Sequence, residues 1–203
     1  MIELNARTKE KTPYIVVCLQ ECERMNILTA TVRKSLLDLD AGLKGQLNIT
    51  DEMELLAQKI FLNQQPDLWV KYAYFSLKSL PAWYDDLLLR VGQLNEYSSE
   101  MRVPKCLWIS GLFNPMSFLT SIMQVTARSG GLALDDMTLR TTVTNTRDPQ
   151  EIPDNAEVGA YIYGLFTQGA AWELGRAGEQ GNLMLMQAKD LCPALPVVHV
   201  TAI

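Results

Sequence analysis

The sequence contains one histidine, His199, among its 203 residues, and this scarcity limits the chemistry it can carry. A nucleophile–histidine–acid arrangement or a mixed Cys/His zinc site would depend on this single imidazole. His199 lies between apolar residues in a predicted strand near the end of the sequence, where a lone histidine is more often structural than catalytic. A small hydrolase that uses His199 with an acid is therefore a weak hypothesis.

Long apolar runs and clusters of basic residues are also missing. The longest apolar run, residues 15–19, is far shorter than the roughly 20 residues that cross a bilayer, and the charged first residues lack the apolar centre of a secretory signal. The formal net charge is −5, and the 18 Lys and Arg residues are scattered along the sequence. Because nucleic-acid-binding proteins usually carry a positive stripe, we expect a cytosolic protein with neither a nucleic-acid nor a membrane partner.

Motifs for nucleotide binding and acid–base catalysis are weak in this sequence. The two glycines of residues 42–45 are not followed by the Lys-Ser/Thr pair that a phosphate-binding loop requires. The carboxylate pairs Asp85/Asp86 and Asp135/Asp136 could serve acid–base chemistry in a cleft, but solvated surface acids are the favoured interpretation of both pairs. We predict no catalytic residue, no cofactor and no metal, and do not expect this segment to be an enzyme.

Four cysteines are expected to be thiols that contribute to packing. Cys18 and Cys22 are four residues apart on the apolar face of a predicted helix, and Cys106 and Cys192 lie far from them in the sequence. A zinc site would need further Cys or His residues at short spacing, which the sequence does not offer.

Four segments have the apolar periodicity of amphipathic helices. They are predicted at residues 13–43, from the Thr50 cap onward with Pro66 closing the connection after the helix, at residues 81–102, and at residues 115–129. Thr50 and Asn114 are suitable N-caps, and glycines follow the first and last of these helices. The predicted buried stripes comprise Cys18, Cys22, Met25, Val32, Leu36, Leu39 and Leu43, then Met53, Leu56 and Ile60, then Tyr84, Leu87, Leu88, Val91, Leu94 and Met101.

The pattern changes after Gly131, where residues alternate with period two and threonine becomes frequent. We predict strands at residues 137–144, 158–165, 183–186 and 197–203. Helices first and strands afterwards, without βαβ alternation, indicate an α+β fold. The predicted organisation is an N-terminal helical bundle over residues 1–131, followed by a small antiparallel β-barrel-like unit over residues 132–203.

Five large aromatic residues are candidates for a protein interface: Trp69, Trp83, Trp108, Phe113 and Phe118. Aromatic side chains of this kind often anchor protein contacts. The alternative, which remains open at this stage, is that they fill the corners between helices.

Several segments resemble the C-terminal region of axonemal dynein heavy chains. The most specific is Trp108-Ile-Ser-Gly-Leu-Phe-Asn-Pro-Met-Ser-Phe-Leu-Thr120, which is similar to a recurring run in that family. Other similar segments follow in the same order as in the family. They include residues 13–26 and 33–45, Pro66-x-x-Trp69, the Trp83 helix, Gly159-Ala-Tyr-Ile-Tyr-Gly-Leu-Phe166 with Gly169 and Trp172, and Pro196-Val-Val-His-Val200.

This resemblance implies a non-catalytic C-terminal domain that begins near its junction with the last AAA module of the motor. It implies a helical part followed by a small β-barrel, bracing the AAA ring and tuning microtubule-based ciliary motility. The implied partners are the AAA ring modules of the same heavy chain, with the microtubule contacted only through the parent motor, an ATPase. The implied location is the cytoplasm and the axoneme of the cilium or flagellum.

Two further expectations follow from the resemblance. Family members continue with further strands beyond the position of Ile203, so we expect the β unit to be incomplete at its C-terminus and the protein to be a fragment or a truncated gene product. The alternative function is a stand-alone helical protein-interaction module derived from the same family.

Overall fold

Five α-helices and six β-strands make up the regular structure of the residues described by this computed structural model, which are 11–152, 154–175, 181–185 and 193–203. The chain divides into two units. The first unit spans Gln20–Leu94, and the second combines the described residues up to Leu19 with Asn95–Ile203. The division at residues 131/132 that the sequence suggests stays a prediction.

The four predicted helices are confirmed, with small differences at their ends. Helix α1 is Pro13–Leu43, α2 is Asp51–Phe61, α4 is Leu80–Glu100 and α5 is Pro115–Gly130. A single turn of helix, α3, occupies Asp67–Val70 and is too short to produce a periodic signal. None of the described helices is long and apolar enough to cross a membrane.

Local capping explains why these helices begin and end where they do. The Thr50 hydroxyl accepts a hydrogen bond from the Met53 N–H at 3.4 Å, and the Asn114 side chain accepts one from the Ser117 N–H at 3.2 Å. These bonds satisfy backbone donors that the first turn leaves without an intrahelical partner. Helix α5 ends at Gly131, which has a φ of 64°, a left-handed conformation that glycine adopts without steric cost.

The buried face of α1 differs from the predicted stripe in its last turns. Cys22 is buried, but Leu36 and Leu43, which continue its seven-residue spacing, are 40% and 71% exposed. Ser35 is buried in place of Leu36. An α-helix has 3.6 residues per turn, so a stripe drawn every 3.5 residues turns by about 20° per heptad away from a fixed direction. The prediction was wrong for Leu36 and Leu43 for this reason.

Helix α4 was also assigned a wrong face at two positions, since Tyr84 and Leu88 are 50% and 52% exposed. The face that is buried instead carries a tryptophan and two charged residues together with apolar ones. An apolar pattern could not identify this face, because a charged side chain is buried only where a partner compensates its charge. The buried residues of α4 are Trp83, Asp86, Leu87, Arg90, Leu94 and Tyr97.

Two small sheets complete the second unit and confirm the α+β class. The strands are β1 (Cys106–Trp108), β2 (Leu139–Val143), β3 (Ala160–Tyr163), β4 (Ala170–Glu173), β5 (Asn182–Leu185) and β6 (Val198–Ala202). The larger sheet has the order β1-β3-β6-β2, and β4 pairs with β5 in a second sheet. Among the described residues both sheets are open, so no closed barrel is formed there.

The pairing of the larger sheet is mixed. Strands β2 and β3 run antiparallel to β6, as predicted, whereas β1 runs parallel to β3, with Leu107 opposite Ile162. Strands β1 and β4 were not predicted: β1 has only three residues, and Ala-Ala-Trp-Glu of β4 does not alternate between apolar and polar residues. Burial alternates along β6, where Val198, Val200 and Ala202 are buried, and α5 packs against this strand.

Candidate interaction site

The structure places the five candidate aromatic residues in different environments. Trp69 and Trp83 are buried in the first unit, and Phe118 is fully buried in the second. Trp108 and Phe113 are half-buried in the second unit. The burial of the first three agrees with the alternative that aromatics fill corners between helices. An interface role for these five residues stays a prediction.

In the first unit, Trp69, Tyr74 and Trp83 form a continuous aromatic stack. The ring centroids of Trp69 and Trp83 are 5.8 Å apart, and those of Tyr74 and Trp83 are 6.1 Å apart, with interplanar angles of 23° in both pairs. Trp69 Nε1 donates to Ser35 Oγ at 2.9 Å, and the Tyr74 hydroxyl donates to the Trp83 carbonyl at 3.2 Å. The stacking and these hydrogen bonds join α1, α3, the loop after α3 and α4 into one buried frame.

A cluster of charged side chains adjoins the stack. The Asp86 carboxylate accepts from Arg90 Nε and from Lys78 Nζ, each at 2.8 Å. The side chains of Asp86 and Arg90 are only 7% and 9% exposed, whereas that of Lys78 is 52% exposed. The Arg90 guanidinium carbon also lies 3.6 Å from the centre of the Tyr74 ring. The expectation that Asp86 is a solvated surface acid is therefore wrong, while Asp85, Asp135 and Asp136 are exposed as expected.

Electrostatics at Asp86 and Tyr74 follow from this geometry. Burial alone would raise the pKa of Asp86, but hydrogen bonds from Lys78 and Arg90, with the guanidinium charge, outweigh burial and lower it. Burial and the neighbouring Asp86 carboxylate raise the pKa of the Tyr74 hydroxyl. Asp86 is thus held as a carboxylate and Tyr74 as a neutral phenol. This fixes their hydrogen bonds over the ordinary pH range.

Hydrogen bonds join the residues that follow α2 to the loop between α3 and α4 and to the first residue of α4. The Gln65 side-chain amide donates to the Lys78 carbonyl at 2.7 Å and to the Ser76 carbonyl at 3.4 Å. The Leu80 N–H donates to the Asn63 carbonyl at 2.9 Å. Since Asn63 and Gln65 closely follow α2, these bonds bring the end of α2 beside the loop.

Four large apolar side chains at this junction face solvent: Phe61, Leu62, Phe75 and Leu77, which we call the apolar edge. Their exposed fractions are 85%, 50%, 88% and 88%. Contiguous exposed apolar patches mark sites of protein contact, whereas single exposed apolar side chains are common on soluble proteins. The apolar edge could not be predicted from the sequence, because an exposed phenylalanine or leucine cannot be told from a buried one by residue type.

The second unit holds the groups that suggested catalysis or metal binding. His199 Nε2 donates to the Val158 carbonyl at 2.9 Å, and its ring centre is 4.6 Å from that of Tyr161. These are the contacts of a structural histidine. Within the described residues, no three His, Cys, Asp or Glu side chains are grouped to hold a metal ion.

The cysteines in the described part of the sequence, Cys18, Cys22 and Cys106, are thiols, and the first two are buried as predicted. Burial raises the pKa of the Cys106 thiol to about 12, which leaves it protonated and a poor nucleophile near neutral pH. Cys192 lies outside the described residues.

A rigid aromatic and ionic frame that presents exposed apolar side chains is suited to protein contact. Comparison with known proteins identifies the family: the profile of the C-terminal domain of dynein heavy chains matches residues 2–203, and the chain belongs to that family. It is 44% identical over 204 residues to the ciliary dynein beta chain of Tripneustes gratilla and 44% identical over 203 residues to dynein axonemal heavy chain 17 of Homo sapiens.

A third relative is the dynein alpha chain of the flagellar outer arm of Chlamydomonas reinhardtii, which is 40% identical over 204 residues and aligns with 98% of this chain. The alignments with the Tripneustes and human proteins cover 100% of this chain. The resemblance to axonemal heavy chains is therefore confirmed along the sequence. The chain spans only 4% of the length of each of these three relatives.

Proposed function

We propose that this chain serves as the non-catalytic C-terminal domain of an axonemal dynein heavy chain, where it braces the AAA ring and tunes microtubule-based ciliary or flagellar motility. The observation that supports this most directly is the 44% identity to axonemal heavy chains over all of its length. In this proposal the parent polypeptide is a microtubule motor ATPase of the axoneme, and ATP hydrolysis and microtubule binding belong to its other parts.

The physical basis of tuning is a difference in affinity between conformations of the ring. A domain that contacts several ring modules stabilises the ring conformation it contacts best. It shifts the equilibrium between ring conformations only by the difference in its affinity for them. A rigid frame suits this role, because a domain that deformed easily would follow either conformation at little cost. The Trp69–Trp83 stack and the buried Asp86–Arg90 pair supply such rigidity within the first unit.

Deletion of the region corresponding to residues 13–203 from the complete heavy chain tests the proposal. We expect nucleotide binding to persist and microtubule gliding velocity or stall force to change, measured beside an intact motor purified in the same way. A matched control motor carries Asp85→Asn, an exposed substitution on α4 that should leave velocity unchanged. If the deleted and intact motors had the same velocity, force and ring stability, the proposed role would be wrong.

A further inference from the structure

We propose that two copies of this chain pair through the outer side of β2, the side of that strand that faces away from β6. The occupant of this side is a second copy of the same protein, whose own β2 lies antiparallel to the first and joins the two sheets. The pairing does not depend on the proposed function, because it involves only the larger sheet of the second unit. It concerns the 203-residue protein in solution.

Backbone hydrogen-bonding groups are available along the outer side of β2. Strand β2 is the last in the order β1-β3-β6-β2, and no other strand of the described residues pairs with its outer side. Thr138 and Ile203 exchange two backbone hydrogen bonds, each 2.9 Å long. Since alternate residues of an antiparallel strand bond to the same neighbour, the N–H and C=O groups of Leu139, Thr141 and Val143 point away from β6. These groups can bond to another strand.

The outer side of β2 also lacks the features that protect edge strands. Residues 139–143 contain no proline, and Arg140, their one charged residue, is exposed to solvent rather than facing the core. Strand β1, at the other end of the sheet, has only three residues, and so short an edge offers little to pair with. Because edges are normally protected by shortness, prolines, bulges or inward-facing charges, β2 is the edge at which another strand can add.

The sequence of β2 is complementary to itself about Thr141. In an antiparallel pair with a two-fold axis at Thr141, this residue lies opposite Thr141 of the second copy, and Leu139 lies opposite Val143 of the second copy. Leu139 and Val143 are half-buried, and they lie on the sheet face that carries the buried residues of β6. The Leu–Val pairs therefore extend the buried face of each sheet into the other.

The only charge in β2 fits the same register. Arg140 lies opposite Thr142 of the second copy, so no like charges are directly opposed. An axis moved to Arg140 would place two arginines opposite each other, and an axis moved to Thr142 would place Leu139 opposite Asn145, beyond the end of the strand. An axis between two residues is excluded, because the backbone groups of Arg140 and Thr142 already face β6. The register centred on Thr141 is therefore favoured.

The pairing should be weak, because it covers little surface. A stable interface between separate proteins buries about 800 Å² on each partner, which a single strand of five residues does not supply. We therefore expect a monomer–dimer equilibrium that depends on protein concentration rather than a permanent dimer.

Sedimentation velocity of the 203-residue protein between about 10 µM and about 1 mM tests the pairing, in low-salt buffer where surface charges are least screened. We expect the dimer fraction to rise with concentration. Thr141→Lys places two ammonium groups opposite each other and should lower the association constant at least about threefold. Thr142→Glu places a carboxylate opposite Arg140 of the second copy, twice in each dimer, and should raise the association constant at least about twofold.

Thr138→Lys is the matched control for the added charge. Thr138 is exposed and directly precedes β2, and in the proposed register it lies opposite Thr144 of the second copy, which is uncharged. The association constant of this variant should change by less than about 1.5-fold. Urea denaturation of each variant checks that the fold is retained, as expected for substitutions of exposed threonines.

Amide hydrogen exchange measured by NMR gives a second readout of the same surface. At high concentration the N–H groups of Leu139, Thr141 and Val143 should exchange at least about threefold more slowly than at low concentration, whereas those of Arg140 and Thr142, which face β6, should be protected at both.

Several results would overturn the pairing. They are a monomer at every concentration, larger assemblies without a dimer, a dimer that Thr141→Lys leaves unchanged, and a dimer in which the outer N–H groups gain no protection. The deletion of residues 13–203 from the complete heavy chain reports on the proposed function whichever of these results is found.

Discussion

Replacement of Asp86 by asparagine should destabilise the first unit far more than any neighbouring surface change. Asp86 and Arg90 are both buried, and their contact is 2.8 Å long. Asparagine keeps the shape but removes the charge and presents an N–H₂ group toward one of the two donors, Lys78 or Arg90. Breaking a buried ion pair from one side costs about 3–5 kcal/mol, because the remaining charge stays buried without compensation.

Urea denaturation of the 203-residue protein measures this cost, with Asp85→Asn as the matched control. Asp85 is the preceding residue on α4 and is exposed, so its substitution should change the free energy of unfolding by no more than about 0.5 kcal/mol. The free energy of unfolding of Asp86→Asn should lie at least about 2.5 kcal/mol below that of Asp85→Asn. A difference under about 1 kcal/mol would refute the argument that Asp86 stabilises the fold as a buried carboxylate.

The effect of Asp86→Asn on the free energy of unfolding should also depend on pH, in a direction that the pKa shift fixes. The pKa of Asp86 is lowered in the folded state, so its contribution is fully present above the unfolded pKa of about 3.9 and is lost as the pH falls toward the folded value. The stability difference between the unsubstituted protein and Asp86→Asn should thus be constant from about pH 5 to 7 and narrow below about pH 4. A difference that widened on acidification would contradict the assigned direction of the pKa shift.

Two further predictions concern the glycines Gly159 and Gly92 and the thiol of Cys106. Gly159→Ala should lower the free energy of unfolding by at least about 2 kcal/mol, because Gly159 has a φ of 79° and an added Cβ would collide with the Val200 carbonyl. Gly92→Ala, in open space on α4, should raise the free energy of unfolding by about 0.5–1 kcal/mol. Equal effects of the two substitutions in urea denaturation would contradict this difference. Cys106, with its raised pKa of about 12, should react with iodoacetamide at about pH 8.5 more than about a hundredfold more slowly in the folded protein than in urea. Peptide mass spectrometry measures both rates, and similar rates would contradict the raised pKa of this thiol.

Sequence patterns predicted the features of this fold that depend on near neighbours. The caps at Thr50 and Asn114 act on the N–H groups of Met53 and Ser117, three residues away, so the chemistry that starts each helix is visible in a short window. Strand β6 was found because five alternating residues give a clear period of two. The resemblance to axonemal heavy chains extends along the sequence in the same way, through ordered local matches.

Features that depend on tertiary packing could not be predicted in this way. Asp86 looked like a surface acid because an acid and an arginine four residues apart on a helix are commonly exposed, and only the Tyr74 ring packed over Arg90 shows that this pair is buried. Leu36 and Phe75 are both apolar residues that face solvent. Which face of α1 is buried decides the exposure of Leu36, and the path of the loop between α3 and α4 decides that of Phe75. The exposure of the apolar edge is accordingly a property of the folded protein, and its residues carry no distinguishing mark in the sequence.

The most direct test of the central claim is the size of the native polypeptide that contains this sequence. An antibody raised against residues 13–131 would be used on an extract of ciliated or flagellated cells, with fractions taken before and after high-salt extraction of axonemes. We expect a single band of very large mass that high salt releases from the axoneme. A band near 22.8 kDa that is not associated with axonemes would contradict the heavy-chain assignment and favour an independent interaction module.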